Sequence, residues 1–201
     1  MKRNRPLNQE KRKAILQAAI QEFYLKGYEG SSMDTVSKEA NVSKATVYNH
    51  FHNKEELFLA LGNIMLERFE ESFQYEYDDE KTIQLQLKEI AYKELVFLSN
   101  DENIKLMHTM TIVMIQKNEI GLKLLKIAKD NCMEMTASWF AKAKERGKLD
   151  FESSSFVSRQ FIGMVKSFAF YPQLYGAPKL TKQEQEKVVE EAIKMVIQLY
   201  T

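Results

Sequence analysis

Between residues 42 and 58 the chain reads VSKATVYNHFHNKEELF. Lys44, Thr46, Tyr48, Asn49 and His50 lie within two helical turns of one another, all able to hydrogen-bond outward, and Lys54 follows closely. The chemistry open to such a set is recognition of a polyanion whose bases present polar edges. Lys44 and Lys54 can neutralise phosphates, contacts that position a protein without specifying a sequence. Asn49 can pair with adenine, and Thr46 can touch a thymine methyl. Lys54 also stands just before a further helix, whose free N–H groups favour an anion. The competing reading is that Tyr48, Asn49 and His50 simply cover a solvent face. No second His or Cys lies at ligand spacing from His50, so no metal site is expected.

These side chains need a scaffold that holds them outward. Val47 and Phe51, four residues apart, are the inward anchors of the short helix, and Ala45 is small enough to let its backbone approach a partner closely. Ser43 can cap that helix, and Asn41 tolerates the left-handed conformation a tight turn demands. Ser32 can cap a preceding short helix that carries Met33, Val36 and Ala40 inward. Before it, Ile15, Ala19 and Phe23 share a face with Leu16, Ile20 and Tyr24, until Gly27 stops the helix. Three helices, the last two short and joined by a four-residue turn, make a helix-turn-helix, which reads DNA by placing its second helix in the major groove. Leu57, Phe58, Leu61, Ile64, Met65 and Phe69 continue as a long fourth helix.

Charge supports the same reading. The chain carries a net +1, yet residues 1–54 hold ten Lys/Arg against five Asp/Glu, and the remainder nineteen against twenty-three. A basic head on a mildly acidic body suits a polyanion-binding end. An apolar fraction of 44% over 201 residues supplies a packed core, and seven Gly with three Pro favour helices over turn-rich β structure. The lone Cys132 excludes an intrachain disulfide and is expected as a buried, inert thiol. With no apolar run of about 18 residues and no signal-peptide block, a cytoplasmic protein is expected.

The rest of the chain has no strand-like alternation. Ile83, Leu87, Ile90 and Leu98 mark one helix, Asp101 is placed to cap the next, and residues 104–115 are apolar and rich in Met. Ile120, Leu124, Ile127, Ala128, Cys132, Met135 and Trp139 form a long helical stripe that ends near Gly147. Ser153–Ser155 can cap a helix that ends before Pro172, and Thr181 with Glu184 fits a capping box ahead of Val189, Ile193, Val196 and Tyr200. The sum is an all-α protein of nine or ten helices.

The run AILQAAIQEFYLKGYEGSSMDTVSKEANVSKATVYNHFHNKEELF resembles the DNA-binding domain of the tetracycline-repressor (TetR) family in order and spacing, without a gap. Asn41 departs from the Gly most usual there, and Ser31-Ser32 from the usual pair of Thr; Ser still caps. The resemblance implies a regulator, commonly a repressor, with a DNA-binding domain over 1–54 and a helical ligand-binding and dimerisation domain over 55–201. It implies a homodimer on palindromic operator DNA, with Ser32, Lys44, Thr46, Tyr48, Asn49, His50 and Lys54 as the contact residues. By the same analogy, helices near 119–146 and 154–171 pair with their copies. Gly163 permits close helix approach, and Arg159 and Lys166, seven apart on one face, argue against complete burial in a monomer core.

For a small-molecule effector the candidates are Tyr92, Phe97, Met107, His108, Met110, Thr111, Met114 and Trp139. Met and aromatics line a deformable cavity, while His108 and Thr111 supply hydrogen bonds; core packing is the plainer role for each. Residues 103–118 contain no acid, which favours a neutral or anionic apolar ligand over a lipophilic cation. An enzyme is not expected, since no Gly-rich phosphate loop, Gly-x-Ser-x-Gly elbow, Cys pair or His-Glu-x-x-His motif appears, and no cofactor is implied. The alternative is a ligand-independent structural DNA-binding or adaptor protein, against which the long run of apolar helices after the reading head weighs.

Overall fold

The computed structural model describes residues 4–131 and 134–201, with side chains over 8–126 and 136–201. The elements among them are α1 (Asn4–Gly30), α2 (Met33–Glu39), α3 (Lys44–His50), α4 (Lys54–Ser72), α5 (Ile83–Leu98), α6 (Asp101–Ile115), α7 (Glu119–Asn131), α8 (Glu134–Glu145), α9 (Ser154–Ala169), α10 (Tyr171–Leu174) and α11 (Lys182–Tyr200). The all-α expectation is met. Among the described residues, α10 is a single turn around Pro172 beyond the helices anticipated, and the stretch expected as one helix near 119–146 is described as α7 and α8 on either side of residues 132 and 133. Residues 132 and 133, and so Cys132, lie outside the described residues, as do the side chains of Ile127, Ala128 and Met135.

Two compact units make up the chain. The first takes in the described residues up to Leu66 together with Lys105–Ala128; the second is Glu67–Ile104 with the described part of Lys129–Thr201. Lys105–Ala128 therefore pack with the N-terminal helices, which their place in the chain does not foretell.

In the first unit, α1 buries Ile15, Ala19 and Phe23 at spacing four, and α4 buries Leu57, Phe58 and Leu61. The Phe23 and Phe58 rings meet edge-on at 5.0 Å, and Leu106, Met110, Val113 and Leu124 complete this core. A Cβ at Gly121 would stand 2.4 Å from the Val113 carbonyl oxygen, so only glycine lets the start of α7 return so closely along α6. The second unit centres on α5, α8, α9 and α11, with Leu87, Phe140, Phe161, Val165, Ala192 and Val196 fully enclosed. There the Trp139 indole donates to Gln86 Oε1 at 3.1 Å, while the Gln86 amide donates to the carbonyls of Asp78 and Lys81, fastening the loop after α4 onto α5.

Caps account for most helix starts. Ser32, Ser43, Ser153 and Thr181 accept backbone N–H bonds as expected, and Thr181 with Glu184 completes a capping box. The start of α6 differs: Asn100 Oδ1, not Asp101, accepts the N–H of Asn103 at 3.0 Å. Asp101 instead pairs with Lys179 at 2.6 Å.

Candidate nucleic-acid interface

The turn between α2 and α3 is built from local bonds. Asn41 adopts φ 51°, and the N–H groups of Asn41 and Val42 donate to Lys38 and Ser37 carbonyls at 3.1 and 3.0 Å. Asparagine thus fills the left-handed position without a glycine. Ser43 Oγ accepts from the Thr46 N–H at 3.1 Å and starts α3. At the head of α2, the Ser32 N–H donates to Glu22 Oε1 at 3.1 Å, and Ser32 Oγ accepts from the Thr35 N–H. Glu22 is a buried carboxylate on α1, so α2 is tied to α1 by a charge-assisted bond.

α3 is anchored and presented as its sequence requires. Val47 and Phe51 are buried, whereas Lys44, Ala45, Tyr48 and Asn49 are exposed and Thr46 and His50 half-buried. The exposed face can meet a groove: an amide, a phenol and an ammonium project from one surface of two turns. Lys44 is paired with Asp34 of α2, but both side chains are more than half exposed, so the pair is weak and a phosphate can displace the carboxylate.

Lys54 is placed differently from its expected role as a phosphate contact. Its ammonium donates to the carbonyls of Tyr28, Glu29 and Ser31 at 2.7, 3.1 and 3.3 Å and lies over the Tyr28 ring at 4.6 Å. A lysine has three N–H donors, and here all three serve the irregular end of α1 after Gly27, where φ is 69°. Ser31 Oγ adds a bond to the Tyr28 carbonyl at 2.7 Å. Sequence reasoning missed this because the acceptors lie in the turn before α2. At the start of α4, Asn53 Oδ1 accepts the Glu56 N–H at 2.8 Å, and Glu56 accepts from the His52 N–H at 2.8 Å. The His52 backbone N–H, and then the His52 ring, hold the Glu56 carboxyl below the usual carboxylate range.

Basic residues of α1 lie beside the end of α3. The Arg12 guanidinium lies 4.9 Å from the centre of the Phe51 ring, at the end of α3, and Lys11, Arg12 and Lys13 are exposed. Burial, then Arg12 and Lys11, push the His50 pKa below its ordinary value. The run EKRK at 10–13 was the available signal, merged in the sequence with the general basicity of the head.

The effector candidates fall in both units. Met107, His108, Met110, Thr111 and Met114 belong to the first unit, and Tyr92, Phe97 and Trp139 to the second. Met110 is a core residue of the first unit. His108 and Thr109 line a cavity of about 300 Å³ with the end of α1. Tyr92 and Phe97 line another of about 570 Å³ with Ser72 and Asn103, while Trp139 lines one of about 520 Å³ with the loop before α5. The second unit also buries Glu94, with Oε2 lacking a hydrogen-bond partner among the described residues. Among those residues, no helix is long and apolar enough to cross a membrane.

Two family models match separate stretches of the chain. Residues 15–61 match the model of bacterial regulatory proteins, tetR family, and residues 85–201 match that of the AefR-like transcriptional repressor, C-terminal domain. The chain is 34% identical over 113 residues to the uncharacterised HTH-type transcriptional regulator YhgD of Bacillus subtilis, covering 56% of each. It spans about half the length of that curated relative. A TetR family transcriptional regulator from Pseudomonas syringae pv. tomato superimposes with a TM-score of 0.78 at 34% identity, over 94% of this chain and 96% of that one. AibR, solved in complex with isovaleryl coenzyme A and operator DNA, shares the fold at a TM-score of 0.64 and 22% identity, over 93% and 98% of the two chains.

Proposed function

Because the chain belongs to the tetR family of bacterial regulatory proteins, we propose that this transcriptional regulator binds a two-fold symmetric operator as a homodimer and represses until a small molecule releases it. The observation that carries the reading is α3: buried Val47 and Phe51 fix a helix whose Lys44, Tyr48 and Asn49 face outward. Its relatives are regulators, not enzymes. Ser32, Lys44, Thr46, Tyr48, Asn49 and His50 make the contact set, joined by Lys11 and Arg12. The cytoplasm, where the DNA lies, is the site of action.

A dimer is supported by α9, which leaves Phe156 and Phe168 exposed at 60% and 51% and has open space beside Gly163. Apolar residues on an outward face are what a helix buried against a second copy requires. We take the effector to be apolar and neutral or anionic, since residues 103–118 contain no acid to pair with a cation. α4 runs unbroken from Lys54 to Ser72 and contributes to both units, so a ligand that shifts its second half acts on its first. Coupling of about 1–3 kcal/mol weakens DNA binding roughly 5- to 150-fold, and operator then weakens ligand binding by the same factor.

Selection of genomic fragments by the full chain, followed by footprinting, tests the reading. The expected footprint has two half-sites whose centres lie roughly one helical turn, about 34–36 Å, or a multiple of it, apart on one face of the duplex. Asn49→Ala changes the preferred base at one position in each half-site. A footprint without two-fold symmetry overturns the dimeric reading, and unchanged base preference removes Asn49 from the contact set.

A further inference from the structure

We propose that Lys123 on α7 is a positioning residue for DNA recognition: its ammonium holds Glu55 in the first turn of α4, and through that turn it sets how α3 is presented to the groove. The proposal rests on the DNA-binding reading above and adds to it a residue 68 positions beyond Glu55.

The ammonium is aimed from a fixed post. Lys123 Nζ donates to Glu55 Oε1 at 2.7 Å and to Glu119 Oε1 at 2.9 Å. Glu119 stands one turn back on the same helix and orients the ammonium, and Glu55 is the second residue of α4. The hydrogen bond to Glu55, and then that to Glu119, hold the Lys123 pKa above its ordinary value. The next residue, Leu124, is buried in the core of the first unit, and Ile120 packs against the same core. The start of α7 is also locked onto α6, because the Gly121 N–H donates to Asn118 Oδ1 at 2.8 Å and only glycine permits the close approach there.

The effect of the contact follows from where Glu55 stands. α3 ends at His50 and α4 begins at Lys54, and the short connection is itself fastened by buried Phe51 and by Asn53, which caps the Glu56 N–H. A tilt of the first turn of α4 is therefore handed to α3. Lys54 holds that turn to the end of α1, and Glu55 holds it to α7. Successive residues of a helix point about 100° apart, so the two contacts restrain different sides of the turn and together fix its direction.

Stability is not what this pair supplies. Its side chains are 44% and 38% exposed, and such ion pairs add little to folding. The free N–H groups of the first turn favour the Glu55 carboxylate even without a lysine. What Lys123 adds is a tether of defined length and direction between α7 and the reading head. A displacement of α6 carries α7 with it and reaches α3 along this tether.

The test uses the full chain and a genomic fragment selected by it, with affinities compared at about 0.15 M salt, where the Debye length is about 8 Å, and then across a salt series. Lys123→Gln and Glu55→Gln should each weaken binding about two- to fivefold, as loss of one exposed ion pair provides. The salt slope should stay that of the parent chain, and the double variant should bind no more weakly than either single one. Lys123→Arg, whose fork reaches the same carboxylates, should restore the affinity. Melting followed by circular dichroism should change little in all four. A flatter slope for Lys123→Gln, or tighter binding for Glu55→Gln, would make Lys123 a phosphate contact and overturn the positioning role. Losses that add in the double variant overturn it too, as does a lowered melting temperature with unchanged affinity. A selected fragment bound equally by every variant removes this role alone, whereas a parent chain that retains no fragment removes the regulator reading and this role with it.

Discussion

Lys54 donates to three carbonyls of one turn, and its removal strands the part-buried Tyr28 and Ser31 acceptors, while the Glu29 carbonyl is exposed to water. Lys54→Met should therefore cost about 1–3 kcal/mol of stability, the range for unpaired part-buried groups. It should leave the salt dependence of DNA binding unchanged. Lys44→Met should do the reverse, with little loss of stability and a salt slope flatter by about one unit, because its partner is an exposed carboxylate that a phosphate replaces. Urea melts and affinities at several salt concentrations separate the two lysines. A flatter slope for Lys54→Met would return it to the phosphate contacts.

At the scale of a helix, α9 has two faces. Val157, Phe161, Val165 and Ala169 repeat at spacing four and are buried in the second unit. Phe156, Gly163 and Phe168 lie off that stripe, and a Cβ built at Gly163 meets nothing within 4 Å. Gly163→Glu is therefore compatible with the protomer and hostile to a second helix packed on the same face. The expected outcome is a monomer with unchanged helix content and weakened operator binding, read by sedimentation and circular dichroism. A variant that sediments like the parent chain moves the dimer contact elsewhere.

Over the whole molecule, Glu94 gives folding a pH dependence. Burial pushes its carboxyl up to about 7, against a smaller opposing effect of the Lys166 charge. Between its ordinary value of 4.5 and about 7, the native chain holds a proton that the unfolded chain has released. The stability this proton contributes is complete below the ordinary value and is lost as pH rises through about 7, a change on the order of 3 kcal/mol. Glu94→Gln carries no titrating group and should flatten the loss of unfolding free energy between about pH 5 and 8 by that amount. Equal slopes for the two proteins would place the titration on other groups.

The sequence by itself determined what depends on neighbours a few residues apart. The inward repeats of α1 and α3, the Ser32, Ser43 and Thr181 caps and the left-handed Asn41 are all legible, because a helix period or a capping bond spans no more than about four residues. The outward face of α3 follows from the same arithmetic, and with it the nucleic-acid reading. Only the tertiary structure decided how distant segments use one another's polar groups. Lys54 meets an acceptor 26 positions earlier, Gln86 takes the indole proton of Trp139 from 53 positions later, and His108 faces Tyr24 across two helices. The grouping of Lys105–Ala128, and with it the Met-rich part of α6, with the N-terminal helices is of the same kind. Periodicity tells which face of a helix is apolar but not which other face covers it, and that choice rests on packing between residues far apart in the chain.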